Sequence, residues 1–185
     1  SNGTADFMVD IPPADRIPEI KAKYANRYHE FPTNSTFYFF MNSSVPPFNE
    51  LKARQALNYA IDINALNRLQ GNVLAPANNI LPPGVPGYKK SPDLYPGPNL
   101  EKAKQLVEES GTKGQSVTVF GNPEDVTKKT VEYEADVLNQ IGYKAKVKIV
   151  PAETYFTTIG NRSVKAQTGW ANWYQDYPHP SDFID

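Results

Sequence analysis

The sequence predicts an α/β domain with a mixed, partly parallel sheet flanked by helices. Three observations carry this reading. The second half of the chain alternates strand-like and helix-like segments in the order β, α, β, α, β, as crossover-linked parallel strands do. A chain of 185 residues suits one domain, long enough to bury roughly 68–70% of its unfolded surface. Its 17 prolines, about 9% of the chain against a usual ~5%, punctuate it between elements.

Ser1 and Asn2 read as the remnant of a cleaved expression tag and are set aside, leaving residues 3–185 as a single α/β unit. Residues 6–11 form a short apolar stretch of strand type. Residues 12–24 place Ile17, Ile20 and Tyr24 at helical spacing, with Pro13 acceptable in a first turn. The aromatic run 37–42 reads as a buried strand. Pro46 and Pro47 then break the chain before a helix whose Ala53, Ala56, Leu57, Ala60 and Ile61 share one apolar face. Asp62 is placed to cap a short helix through Leu69, which Gly71 ends.

Seven prolines fall between Pro76 and Pro98, together with Gly84, Gly87 and Gly97. That density excludes a helix or an inner strand and predicts a long ordered loop, since Leu, Ile and Tyr are too frequent for a disordered linker. Asn99 caps a helix with Leu100, Ala103, Leu106 and Val107 on one face, and Gly111 stops it. Strand 116–120, helix 123–141 with Val131, Leu138 and Ile141 inward, and half-buried strand 144–150 follow. A short helix over 153–160 and a last strand over 164–173 complete the pattern. Residues 180–185 look like the opening of an element, so the chain is expected to be a piece of a longer protein.

Composition removes several function classes. Without cysteine there is no disulfide, thiolate metal site or cysteine nucleophile. Nineteen basic against twenty acidic residues, dispersed along the chain, leave no electrostatic footprint for nucleic acid or an anionic membrane. The longest apolar run, 37–41, is far short of the roughly 20 residues of a membrane helix. No nucleophile elbow, phosphate loop or dinucleotide fingerprint occurs, and no cofactor is expected.

The densest polar-aromatic cluster runs from Trp170 to Pro180 and follows a predicted strand, where α/β sheets place ligands. Its Trp and Tyr rings offer rigid faces for flat groups, and Asp176 among them is suited to pair with a ligand ammonium. Trp170 and Trp173 serve equally well as core anchors, with Asp176 capping a turn beside Pro178. Asp176, His179 and Asp182 are spaced three apart, but Pro178 and Pro180 flank the histidine and exclude helical geometry there.

The run from Pro46 to Asp62, PPFNELKARQALNYAID, resembles a signature of the extracellular solute-binding proteins, family 5, of ABC transporters for peptides, nickel and related solutes. The strand closed by Asn42, the Leu81-Pro82-Pro83 loop, the Asn99–Val107 helix and the motif from Gly169-Trp170 through Asp176-Tyr177-Pro178 and Pro180 are similar to further features of that family, in the same order. The resemblance implies one lobe of a clamshell of the periplasmic-binding-protein type, a non-enzymatic receptor that traps a solute between two lobes and hands it to permease subunits. It implies an extracytoplasmic location, with any membrane attachment through an upstream anchor. It assigns the α-ammonium of a peptide to Asp176 and the cleft lining to Trp173, Tyr174 and Asn172. Trp170 stands where some peptide binders carry a basic residue, which favours a stacking ligand such as an oligosaccharide. A metal chelate, hydrolysis through Asp176 and His179, and a protein-interaction role are the alternatives to a peptide receptor.

Overall fold

A computed structural model describes residues 6, 12–31, 33–77, 79–90, 95 and 97–184. Four strands form one sheet in the order β1-β4-β2-β3. Strands β2 (Ser116–Gly121) and β3 (Lys144–Ile149) run parallel, joined by helix α5 (Asp125–Gln140) as their crossover. Strand β4 (Thr168–Tyr174) lies parallel to β2 on its other side, through Val119↔Thr168 and Phe120↔Gly169. Strand β1 (Ser35–Met41) pairs antiparallel with β4 over its whole length, from Ser35↔Tyr174 to Met41↔Thr168. The sheet is mixed and partly parallel, as the alternation of elements predicts.

The aromatic run 37–42 differs from expectation. It forms β1, a sheet edge whose residues are mostly half-buried, with Tyr38 37% exposed. Bulky rings shield an edge as well as a centre, so continuity of apolar residues does not tell one from the other.

Helix α1 (Ile17–Lys23) is preceded by a 3-10 turn over Ala14–Arg16, and Ile17 is its buried anchor. Helix α2 (Leu51–Ala60) buries Ala53, Ala56, Leu57 and Ala60. Helix α4 (Leu100–Glu109) packs on it with Ala103, Leu106 and Val107, and the small alanines on both sides let the two backbones approach. Between them, helix α3 (Ile63–Leu69) starts on Asp62, whose side chain accepts from the Asn64 and Ala65 N–H groups at 2.9 and 3.1 Å. Asn99 caps α4 in the same way through the Lys102 N–H, and Gly111 leaves it with φ +70°.

The proline-phenylalanine motif has a structural basis. The Pro46–Pro47 bond is cis, and Pro47 and Phe48 are fully buried. Arg54 donates from Nη1 to Phe48 O and Asn49 O at 2.6 and 3.1 Å, so the spacing of the motif is that of a side chain closing the turn that leads into its own helix. Gln167 donates to Pro46 O and Ser116 O and accepts from the Thr118 N–H, fastening that turn to β2.

The described part of the proline-rich segment forms neither helix nor strand. It packs on the start of β1: Thr36 Oγ1 donates to Ile80 O at 2.7 Å, and a Cβ at Gly84 would collide with Asn34. Residues 1–5 and 7–11, and with them the expected N-terminal strand, lie outside the described residues. Helix α6 (Tyr155–Gly160) follows a 3-10 turn over Ala152–Thr154, and α7 (Ser181–Ile184) is a single turn.

Candidate functional site

The C-terminal ends of the parallel strands β2, β3 and β4 point one way, and β4 carries the polar-aromatic cluster beyond that edge. Cross-strand partners in an antiparallel pair share a face. Trp170, Asn172 and Tyr174 therefore lie with Phe37 and Phe39 on one face, and Ala171 and Trp173 with Thr36 and Tyr38 on the other. Phe37 meets both Trp170 and Tyr174, with ring centroids 6.3 and 5.9 Å apart.

The two tryptophans thus have different environments. Trp170 is 8% exposed, packed among Phe37, Tyr155 and Phe156, and sits in the core. Trp173 is 44% exposed and Tyr174 52% exposed at the C-terminal end of the strand. A shallow cleft of about 260 Å³ is lined by Phe156, Asn172, Trp173, Tyr174 and Asp176. It gathers four of the residues that the sequence singles out and leaves Trp170 behind its wall.

Phe156 was not legible as a site residue. The signal was the Tyr155-Phe156 pair itself, because adjacent residues of a helix one or two turns long cannot both face the core. Tyr155 takes the buried position, and its single hydroxyl hydrogen is shared between Phe120 O at 2.9 Å and Trp170 O at 2.6 Å. Burial, and secondarily the nearby Glu134, push its phenol well above the ordinary range, which keeps it a donor.

Asp176 is exposed, and among the described residues no hydrogen bond or ion pair engages its carboxylate. Its backbone N–H donates to Asp182 Oδ2 at 2.8 Å. The turn is pinned to the sheet by Gln175 N–H on Asn34 O at 2.8 Å, with Asn34 Nδ2 donating back to Gln175 Oε1. His179 Nδ1 accepts from the Ser181 N–H at 3.2 Å and lies 3.0 Å from Ser181 Oγ. Asp182 and His179 therefore shape the turn, and Asp176 alone presents charge to the cleft. Among the described residues no group of three or more acidic or histidine side chains is arranged to hold a metal ion.

A larger concavity of about 550 Å³ lies at the opposite end of β1 and β4, lined by Asn42, Ser44, Val45, Pro46, Arg162 and Lys165. It has no aromatic face and sits at the N-terminal edge of the parallel strands. The smaller aromatic cleft, at the edge where α/β sheets bind ligands, is the better candidate.

Comparison with known proteins bears on this geometry. The chain is 26% identical over 192 residues to the periplasmic oligopeptide-binding protein OppA of Escherichia coli K12, covering 100% of this chain and 35% of that protein. It is 30% identical over 143 residues to the glutathione-binding protein GsiB of Salmonella typhimurium LT2, covering 72% of this chain and 28% of that one. The fold superimposes on the dipeptide binding protein of Pseudoalteromonas sp. SM9913, solved in complex with Met-Leu, with a TM-score of 0.75 at 25% identity, over 95% of this chain and 39% of the other. The chain thus spans about a third of the length of these relatives. The family model of the bacterial extracellular solute-binding proteins, family 5 Middle, matches residues 1–185, and the chain belongs to that family.

Proposed function

We propose that this chain is one lobe of a solute receptor of an ABC importer, and that its ligand is a short peptide held by its α-ammonium at Asp176. The observation that carries this is the carboxylate of Asp176, exposed at the rim of a cleft whose other walls are Trp173, Tyr174, Phe156 and Asn172. A lone carboxylate among weakly hydrated rings attracts a cation and hydrogen-bonds its N–H groups, worth about 1.5–3 kcal/mol for a charged pair. The rings add a flat apolar surface for the peptide plane beyond the ammonium. Oligopeptide, glutathione and dipeptide binding in the relatives named above supports the same ligand class.

The open side of the cleft is where a second lobe of the complete receptor closes over the ligand, each lobe supplying half the contacts. Permease subunits are the partners that then take the solute. The periplasmic relatives support an extracytoplasmic location, and no helix among the described residues is long and apolar enough to cross a membrane.

Thermal-shift screening of the complete receptor against tripeptides, oligosaccharides and nickel chelates tests this reading. Tripeptides should raise Tm by several degrees at saturating concentration. Stabilisation by sugars alone would transfer the rings to a stacking role and leave Asp176 without a ligand.

A further inference from the structure

Among the described residues, Phe156 is the one wall of the cleft that comes from outside β4 and the turn after it. Its ring is 50% exposed, a poor place for a phenyl group unless something covers it. It is also braced: its centroid lies 5.3 Å from Tyr155 at 76° and 6.2 Å from Trp170 at 45°. Tyr155 is bonded to the backbone of the strand that carries Asn172, Trp173 and Tyr174. Phe156 is thereby braced against the strand that carries those residues, a largely preorganised surface.

The enclosed chemistry is one-sided. Three half-exposed rings, one amide and one carboxylate share about 260 Å³, and a cavity of ~150 Å³ already holds a benzene ring. Among the described residues no cation lines the cleft, so an acidic side chain finds no partner among them. A lysine side chain would compete with the ammonium for the single carboxylate.

We propose that Phe156 is a specificity-determining residue. With Tyr174, on the same face of β4 as Trp170, it forms an aromatic wall, edged by Trp173 at the end of the strand, for the side chain of the residue whose ammonium Asp176 holds, and the receptor selects peptides with a large apolar or aromatic first residue. This rests on the peptide reading above and narrows it.

Calorimetry on the complete receptor, as wild type, Phe156→Ala and Phe156→Leu, tests it with Ala-Ala-Ala, Phe-Ala-Ala, Lys-Ala-Ala and N-acetyl-Phe-Ala-Ala. The wild type should bind Phe-Ala-Ala about tenfold or more tighter than Ala-Ala-Ala. That ratio should fall below about threefold in Phe156→Ala and be intermediate in Phe156→Leu, which also reports if the alanine variant fails to fold. An unchanged ratio in both variants, no preference in the wild type, or tightest binding of Lys-Ala-Ala overturns the aromatic wall. The acetylated peptide separates the two readings. If acetylation costs nothing, the Asp176 assignment fails while the ratio still reports on Phe156. Binding of none of the four peptides overturns both.

Discussion

Tyr155 and Gly169 hold the two inner strands together at the point where the site begins. The Tyr155 hydroxyl serves Phe120 O on β2 and Trp170 O on β4. Tyr155→Phe keeps the packing and removes the donor, which should cost about 1–3 kcal/mol in urea unfolding, the usual penalty for a buried group losing its partner. Gly169 faces Phe120 in the parallel pair, and a Cβ there would lie 2.2 Å from Phe120 O. Gly169→Ala must therefore part the strands, with a loss of roughly 3 kcal/mol. A urea midpoint unchanged in the alanine variant would show that β2 and β4 are not this close. At the same scale, Asn172, Trp173, Tyr174 and Asp176 were legible as one cluster because they fall within five positions of a dense polar-aromatic run. The division of labour between Trp170 and Trp173 was not, since it depends on which face of β4 meets Tyr155.

Helix α5 shows how far periodicity reaches at the scale of an element. Its Val131 and Leu138 are buried as their spacing predicts, but so is Glu134, at 0% exposure on the same face. Thr168 Oγ1 lies 2.6 Å from Glu134 Oε1 and 2.7 Å from Phe40 O, and Glu134 Oε2 is buried without a partner among the described residues. Thr168 has one hydrogen and the Phe40 carbonyl only accepts, so the carboxyl fits this place as a neutral acid that donates to Thr168. Burial pushes its pKa from an ordinary 4.5 to about 8. The unfolded chain loses this proton near 4.5 and the folded chain keeps it until about 8, so the folded state binds more protons across that window. Stability should accordingly fall as pH rises between those values, on the order of 1 kcal/mol per pH unit, and level off above. Glu134→Gln should flatten this dependence. Identical slopes for variant and wild type, in urea titrations from pH 5 to 8, would mean that Glu134 ionises freely in the fold. The helices and inner strands were readable from caps and apolar spacing. The edge position of β1 and the tolerance for Glu134 were not, because both depend on a partner far along the chain.

For the whole molecule, the proposed receptor closes a second lobe over this cleft, and the chain spans about a third of its relatives' length. The 185-residue chain alone should therefore bind peptides at least about 100-fold more weakly than the complete receptor, since half the contacts are missing. Sub-micromolar binding by this lobe alone would contradict the half-site. The described part of the proline-rich segment packs against Asn34 and Thr36, a placement that proline density announced without indicating its partner.

One measurement reaches the proposed ammonium site most directly: the affinity of the complete receptor for a tripeptide and its N-acetyl counterpart, in wild type and in Asp176→Asn. The carboxylate pairing with the ammonium predicts that acetylation weakens binding by about 10- to 100-fold in the wild type. In Asp176→Asn the two peptides should bind nearly alike, with thermal stability unchanged because the Asp176 carboxylate is exposed. An equal acetylation penalty in both proteins would place the ammonium elsewhere and contradict the assignment.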